Sequence, residues 1–245
     1  MRLIFSSGKR RNDYPRFCIF KKTMLMRRFF TSPLLALIVL SIPLVLAAIF
    51  YPGLPDRIPI HFNAEGVVDR YGSKSNIFIH TSILFVVGFG VYMLISNLHK
   101  IDPKKTARVS PETHKTLALV IAVFLSLVST SIVLSMSNRL SKFGISTTVL
   151  PAVGLLLATI GYFMRNIQPN YFIGLRLPWT LEDDENWAAT HKLAAKLWIP
   201  GGLVIAVVPF LLSFIQAFIF TICVTLIMVI IPSIYSFLFF KRKQS

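Results

Sequence analysis

Six stretches of this chain, residues 33–50, 77–98, 116–136, 147–164, 198–215 and 217–240, each run for eighteen residues or more without an Asp, Glu, Lys or Arg. A helix rising ~1.5 Å per residue crosses ~30 Å of hydrocarbon in about twenty residues. Each run is therefore long enough to span a bilayer, and with 54% hydrophobic and only 15% charged positions the chain reads as a multi-span helical membrane protein. The predicted fold class is an all-α bundle of six transmembrane helices. The last two runs together, 198–240, are too long for one crossing and fit two helices turned near Ser213 and Gln216. Pro43, Pro151, Pro200, Pro209 and Pro232 lie in or beside these runs. Such residues bend membrane helices while neighbouring groups satisfy the freed carbonyls.

The net charge of +16 does not point to nucleic acid, because the basic residues cluster at the ends of the apolar runs. With the N-terminus inside and six spans, the inner segments hold 21 Lys and Arg and the outer ones 5. That asymmetry predicts both termini in the cytoplasm. Residues 1–28 carry nine basic residues and one acid, Asp13, and read as a cytoplasmic leader. The first run has no small-residue cleavage pattern after it and is read as a span rather than a signal peptide. Met24 and Met26 offer later translation starts. The division expected is leader 1–28, two spans in 29–98 with an outer loop at 51–76, two in 99–164, and a polar segment with the last two spans in 165–245. Cys18 and Cys223 match no metal or redox spacing and are expected to be free thiols.

Two polar segments carry the remaining information. In the outer loop Ile58, Ile60 and Phe62 alternate, Asn63 to Gly66 has turn chemistry and Val67 to Tyr71 returns, which predicts a short extracellular β-hairpin capping the bundle. His61, Glu65 and Asp69 are spaced by four, but Pro59 and Gly66 oppose the helix that would gather them, so neither a metal site nor a catalytic one is assigned. The second segment runs from Asn170 to His191. Thr180 is expected to cap a helix there, with Glu182, Asp183, Asp184 and Glu185 at its positive end. Trp187, Ala194, Leu197 and Trp198 fall near one face, predicting a cytoplasmic interfacial helix with Trp179 and Trp187 in the headgroup zone.

Gly174, Arg176, Pro178, Trp179, Thr180 and Trp187 resemble the signature of the SdpI family, bacterial multi-span membrane proteins of immunity and signalling. The outer loop, with its Leu-Pro at Pro55, Ile-Pro at Pro59 and Asn63-to-Gly66 turn, is similar to the N-terminal module that accompanies that signature. The family usually has Thr or Ser where Leu177 stands. The resemblance implies immunity to a secreted antimicrobial peptide, met at Pro55, Pro59, His61, Phe62, Asn63 and Gly66. It also implies capture of a small DNA-binding repressor by the six signature residues, with the acidic cluster suiting a basic partner. Membrane lipid is the remaining partner, and no direct contact with nucleic acid is expected.

Two other functional classes fit a multi-span chain. A secondary transporter or efflux protein usually carries charged groups within its spans, and none of the six runs has an Asp, Glu, Lys or Arg. His80 lies only near one end of the second, and the mid-depth hydroxyls of Ser126, Thr130 and Ser131 can bond their own backbone. An enzyme would need a nucleophile with a base, a phosphate-cradling loop or a metal-ligand motif, and neither polar segment has one. No cofactor is predicted.

Overall fold

The computed structural model describes residues 32–63, 67–101, 103, 109–137, 146–165, 167–170 and 173–244. The basic leader, Cys18, Glu65 and Gly66 lie outside them. In chain order the elements are α1 (Pro33–Phe50), β1 (Arg57–Phe62), β2 (Val68–Ser73), α2 (Asn76–Ser96), α3 (Leu98–Ile101), α4 (Pro111–Met136), α5 (Ser146–Met164), α6 (Pro178–Leu181), α7 (Asp184–Val207) and α8 (Phe214–Gln244). Six of these helices, α1, α2, α4, α5, α7 and α8, are long and apolar enough to cross a membrane. The chain is a multi-pass membrane protein whose outward faces, such as Leu34, Val86 and Ile219, are apolar.

The spans group by threes. Helices α1, α2 and α4 close around Ala36, Leu40, Tyr92, Ala118 and Ala122. Helices α5, α7 and α8 form the second group, in which the backbones of α5 and α7 meet directly. A Cβ added at Gly154 would collide with the Ala206 nitrogen and the Gly202 carbonyl, and one added at Gly202 would strike Ala158 and Gly154 in return. In lipid, where burying apolar surface gives little drive to associate, such small-residue contacts hold helices together by close packing.

The prolines show how the two groups are pinned. Pro43 has no N–H for the Val39 carbonyl one turn earlier, and the Ser126 hydroxyl of α4 donates to that oxygen at 2.7 Å. Pro232 likewise frees the Met228 carbonyl, which accepts from the Trp198 indole at 2.8 Å. At these two prolines the freed carbonyl thus becomes the acceptor of a bond between helices. Ser126 departs from the expectation that it bonds its own helix; Ser131 follows it, donating to Leu127 O.

The polar segments sit at opposite ends of the bundle. The predicted hairpin is present, antiparallel, with Arg57 opposite Ser73 and a bulge around His61. Its inner face seals the bundle end: Leu54 and Ile58 pack with Ala47, Ile77, Val133 and Met136. At the same end the chain turns between α7 and α8 through a 3₁₀ turn, Val208–Phe210, where Ser213 N–H donates to the Gln216 side chain. The Asn170–His191 segment lies at the other end, between α5 and α7.

Candidate functional site

The Asn170–His191 segment is built around one fully buried ring system. His191, in the second turn of α7, donates from Nδ1 to the Trp187 carbonyl at 2.8 Å. This leaves Nε2 as an acceptor, and the Leu175 N–H fills it at 2.9 Å. The rings of Trp187 and His191 stack with centroids 4.0 Å apart. Gly174 immediately precedes Leu175 with φ +108°, and a Cβ there would run into His191 Nε2. Glycine is therefore demanded twice, by backbone conformation and by the approach of the ring.

Each signature polar group closes on a neighbour. Leu177, at the start of α6, has no side-chain acceptor, and its N–H is met by the Thr180 hydroxyl at 3.0 Å. Thr180 in turn lies within bonding distance of the Leu175 and Leu177 carbonyls. Asn170 accepts from Ile173 N–H and donates back to Ile173 O, tightening the preceding turn. The Trp187 indole donates to Ile167 O at 2.9 Å. Two further side chains reach α8: Asn186 donates to Ser236 O at 3.0 Å and the Trp179 indole to the Ser236 hydroxyl, with the Trp179 ring against Phe237 and Phe240.

Helix α7 is capped by Asp183, not Thr180. Its carboxylate accepts from the Glu185 and Asn186 N–H groups, while Thr180 is spent inside α6. The chain breaks between the two helices, so the cap moves three residues on. The other oxygen of Asp183 meets Lys243 at 2.8 Å, and Lys243 also reaches Glu185 at 2.7 Å. The Lys243 bond, joined by the two backbone N–H groups, holds the Asp183 carboxyl below its usual range. The Trp187 indole N–H, expected to stay in contact with water, is instead wholly buried and bonded to the chain. The polar turns before Trp198 are continuous with the fifth span in one helix, Asp184–Val207.

Of the six signature residues, Thr180 and Trp187 have no exposed surface and Gly174 is committed to His191. Trp179 is half-buried on α8, while Arg176 and Pro178 are exposed. The His191 end of the bundle thus presents Arg176 and Pro178 on a scaffold made by the other four. A cleft of about 300 Å³ opens beside it, lined by Arg165, Gln168, Pro169, Asp184, Trp187 and Lys192.

At the hairpin, His61 and Asp69 meet across the strands at 2.6 Å. Strand pairing gathers them, a route that helical spacing does not test. Among the described residues no group of three or more His, Cys, Asp or Glu could hold a metal ion. Asn63 closes the turn, its N–H donating to Val67 O and its side chain accepting from Val67 N–H, both at 2.8 Å. Pro55 and His61 are exposed, Pro59 and Phe62 partly buried, and Gly66 lies outside the described residues. Sequence reasoning missed the Ser236 anchor, because a lone serine in an apolar helix carries no signal of what it will face.

Residues 166–236 match the SdpI/YfhL protein family and residues 38–85 the Domain of unknown function DUF1648. The first match begins just before the His191-centred loop and ends at its Ser236 anchor; the second covers most of α1, the hairpin and the start of α2. The chain is similar to Immunity protein SdpI of Bacillus subtilis (strain 168), at 25% identity over 215 residues, covering 85% of this chain and 96% of that one. No solved structure matches. Both matched segments follow in order around one six-helix bundle, so the chain is similar to the SdpI/YfhL family at both of its polar ends.

Proposed function

We propose that this chain is a membrane immunity protein of SdpI type, protecting the cell that carries it against a secreted antimicrobial peptide. One observation carries the reading: the likeness to an immunity protein runs through 96% of that relative and so takes in both polar ends. The division of basic residues, 21 to 5, supports a cytoplasmic His191 loop and a hairpin facing the medium. The hairpin is the surface that meets the peptide. Arg176 and Pro178 form the corner that docks a small DNA-binding repressor, with the exposed acids Glu182 and Asp184 suiting a basic partner.

Transmission between the ends requires the peptide to favour one packing of the spans, since equal affinity for two packings shifts nothing. The two three-helix groups supply units that can shift against each other. The decisive experiment expresses the chain in a bacterium killed by the peptide and counts survivors. Survival should rise with the intact chain, and unchanged killing at normal membrane levels removes the immunity reading. Sidedness is checked by labelling Asn63→Cys from outside and Glu182→Cys from inside; the reverse pattern inverts the assignment. Arg176→Ala should leave insertion intact and abolish repressor capture, and normal capture would return Arg176 to lipid anchoring.

A further inference from the structure

Where the two three-helix groups join, α4 meets α5 far less closely than α5 meets α7, and two hollows open along the seam. The first, of about 380 Å³, lies at the His191 end and is lined by Ser110, Thr113, Tyr162, Arg165 and Gln168. Arg165 is exposed, and among the described residues its guanidinium has no carboxylate partner. The Ser110 and Thr113 hydroxyls stand 3.0 Å apart, so one hydrogen bridges them and the other is left to donate. Glu112, the one acid in the first turn of α4, lies outside this lining. The cleft is therefore a cationic, donor-rich mouth.

The second hollow, of about 260 Å³, is a groove between the same two helices, walled by Leu119, Val123, Leu127, Leu155 and Leu156. Its one polar side chain, Thr159, is spent on the Leu155 carbonyl at 2.7 Å. Helical spacing makes the two hollows one track: Thr113, Val120, Phe124 and Leu127 share a face of α4, as Tyr162, Thr159, Leu155 and Ala152 share one of α5. From Thr113 to Leu127 is ~21 Å of helix, about the depth of one bilayer leaflet with its headgroups. Water finds nothing to bond in such a groove, and an empty one forfeits the dispersion contacts of its walls. A chain of methylene groups restores them.

We propose that this seam holds one anionic glycerophospholipid, its phosphate on Arg165 and the Ser110 and Thr113 hydroxyls and an acyl chain in the groove from Leu119 to Leu127. The charge of the mouth selects an acidic headgroup, and the groove beneath it demands that the anion carry a long apolar tail. A free phosphate satisfies only the first requirement. Seated there, the lipid fills the gap between the two three-helix groups and braces one against the other.

The test uses the full chain, delipidated in an uncharged detergent and offered phosphatidylglycerol or phosphatidylcholine, with bound lipid read by native mass spectrometry and unfolding followed in parallel. One phosphatidylglycerol per chain should be retained and raise the melting temperature, with phosphatidylcholine held at least about tenfold more weakly. Arg165→Ala should remove that preference, while Lys196→Ala, on an exposed face of α7 outside both hollows, keeps it. Leu155→Trp, at a half-exposed wall of the groove, should displace both lipids. If Leu155→Trp fails to fold, Arg165→Ala at the exposed rim decides alone. Equal retention of the two lipids, as an ordinary lipid-facing surface gives, overturns the proposal. So does a preference that survives Arg165→Ala, or a delipidated chain that closes the groove by pairing with a second copy and takes up no lipid.

Discussion

At one end of the bundle His61 meets Asp69 with 57% and 43% of their side chains exposed; at the other His191 is 1% exposed and is bonded only to backbone. Both are histidines in polar segments joining two spans, yet the environments differ as much as a surface and a core. The hairpin holds its shape through strand pairing and an apolar underside, so its polar face is free of structural duty. The His191 loop has no regular pairing, and its side chains do the work of a sheet by meeting backbone groups one at a time. The difference teaches where substitutions should read as stability and where as recognition.

The sharpest way to break that distinction is Gly174→Ala. A methyl group there meets both a positive φ and the His191 ring, costing about 2–4 kcal/mol. Thermal unfolding in detergent should show a large fall in midpoint together with poor membrane yield. A variant as stable as the parent would mean that the loop is loosely held and the contrast between the ends is false.

Trp187→Phe should follow in size. It keeps an aromatic ring against His191 but leaves the Ile167 carbonyl without its donor, at a cost of about 1–3 kcal/mol. Trp198→Phe tests the same effect away from the loop, at the Met228 carbonyl that Pro232 leaves open. Similar losses in unfolding free energy would place the loop's bonds on a par with those between spans, and a negligible loss for Trp187→Phe would detach the loop from the core.

Much of this arrangement was legible in the sequence, and what escaped has a common cause. Span positions follow from apolar length, and the hairpin from alternation around Asn63, both of them local signals. The prolines announced bends and the need for outside donors. Which donors came forward, Ser126 and Trp198, depends on the rotation and depth of neighbouring helices, which no local pattern records. Thr180 and Asp183 are both capping residues by type, and the break between α6 and α7 assigns the cap to Asp183. Trp187 followed the interfacial rule for tryptophan until a buried carbonyl, Ile167 O, supplied the partner that water would otherwise be.

A smaller effect separates the loop from its tether to the C-terminal end of α8. Asp183→Asn keeps a good capping residue and removes the charge that pairs with Lys243. Because the folded carboxyl of Asp183 lies below its ordinary range, its contribution is complete above that range and is lost as pH falls through the lowered folded value. Melting temperatures taken from neutral pH downward should fall less steeply for the variant than for the parent. Parallel curves would mean that the pair with Lys243 adds nothing.

The least effect on stability is expected from His61→Ala, and for that reason it sharpens the comparison most. Exposed polar side-chain pairs contribute ~0–1 kcal/mol, and the hairpin retains its Asn63 turn and the buried Ile58 anchor without this one. Unfolding should be nearly unchanged. If the hairpin is the surface that meets a toxic peptide, survival under peptide challenge should nevertheless fall, a separation of stability from protection that no substitution within the His191 scaffold can produce. A His61→Ala chain that melts as early as Trp187→Phe would show the two ends to be held by the same kind of bond, and the assignment of recognition to the hairpin would lose its physical ground.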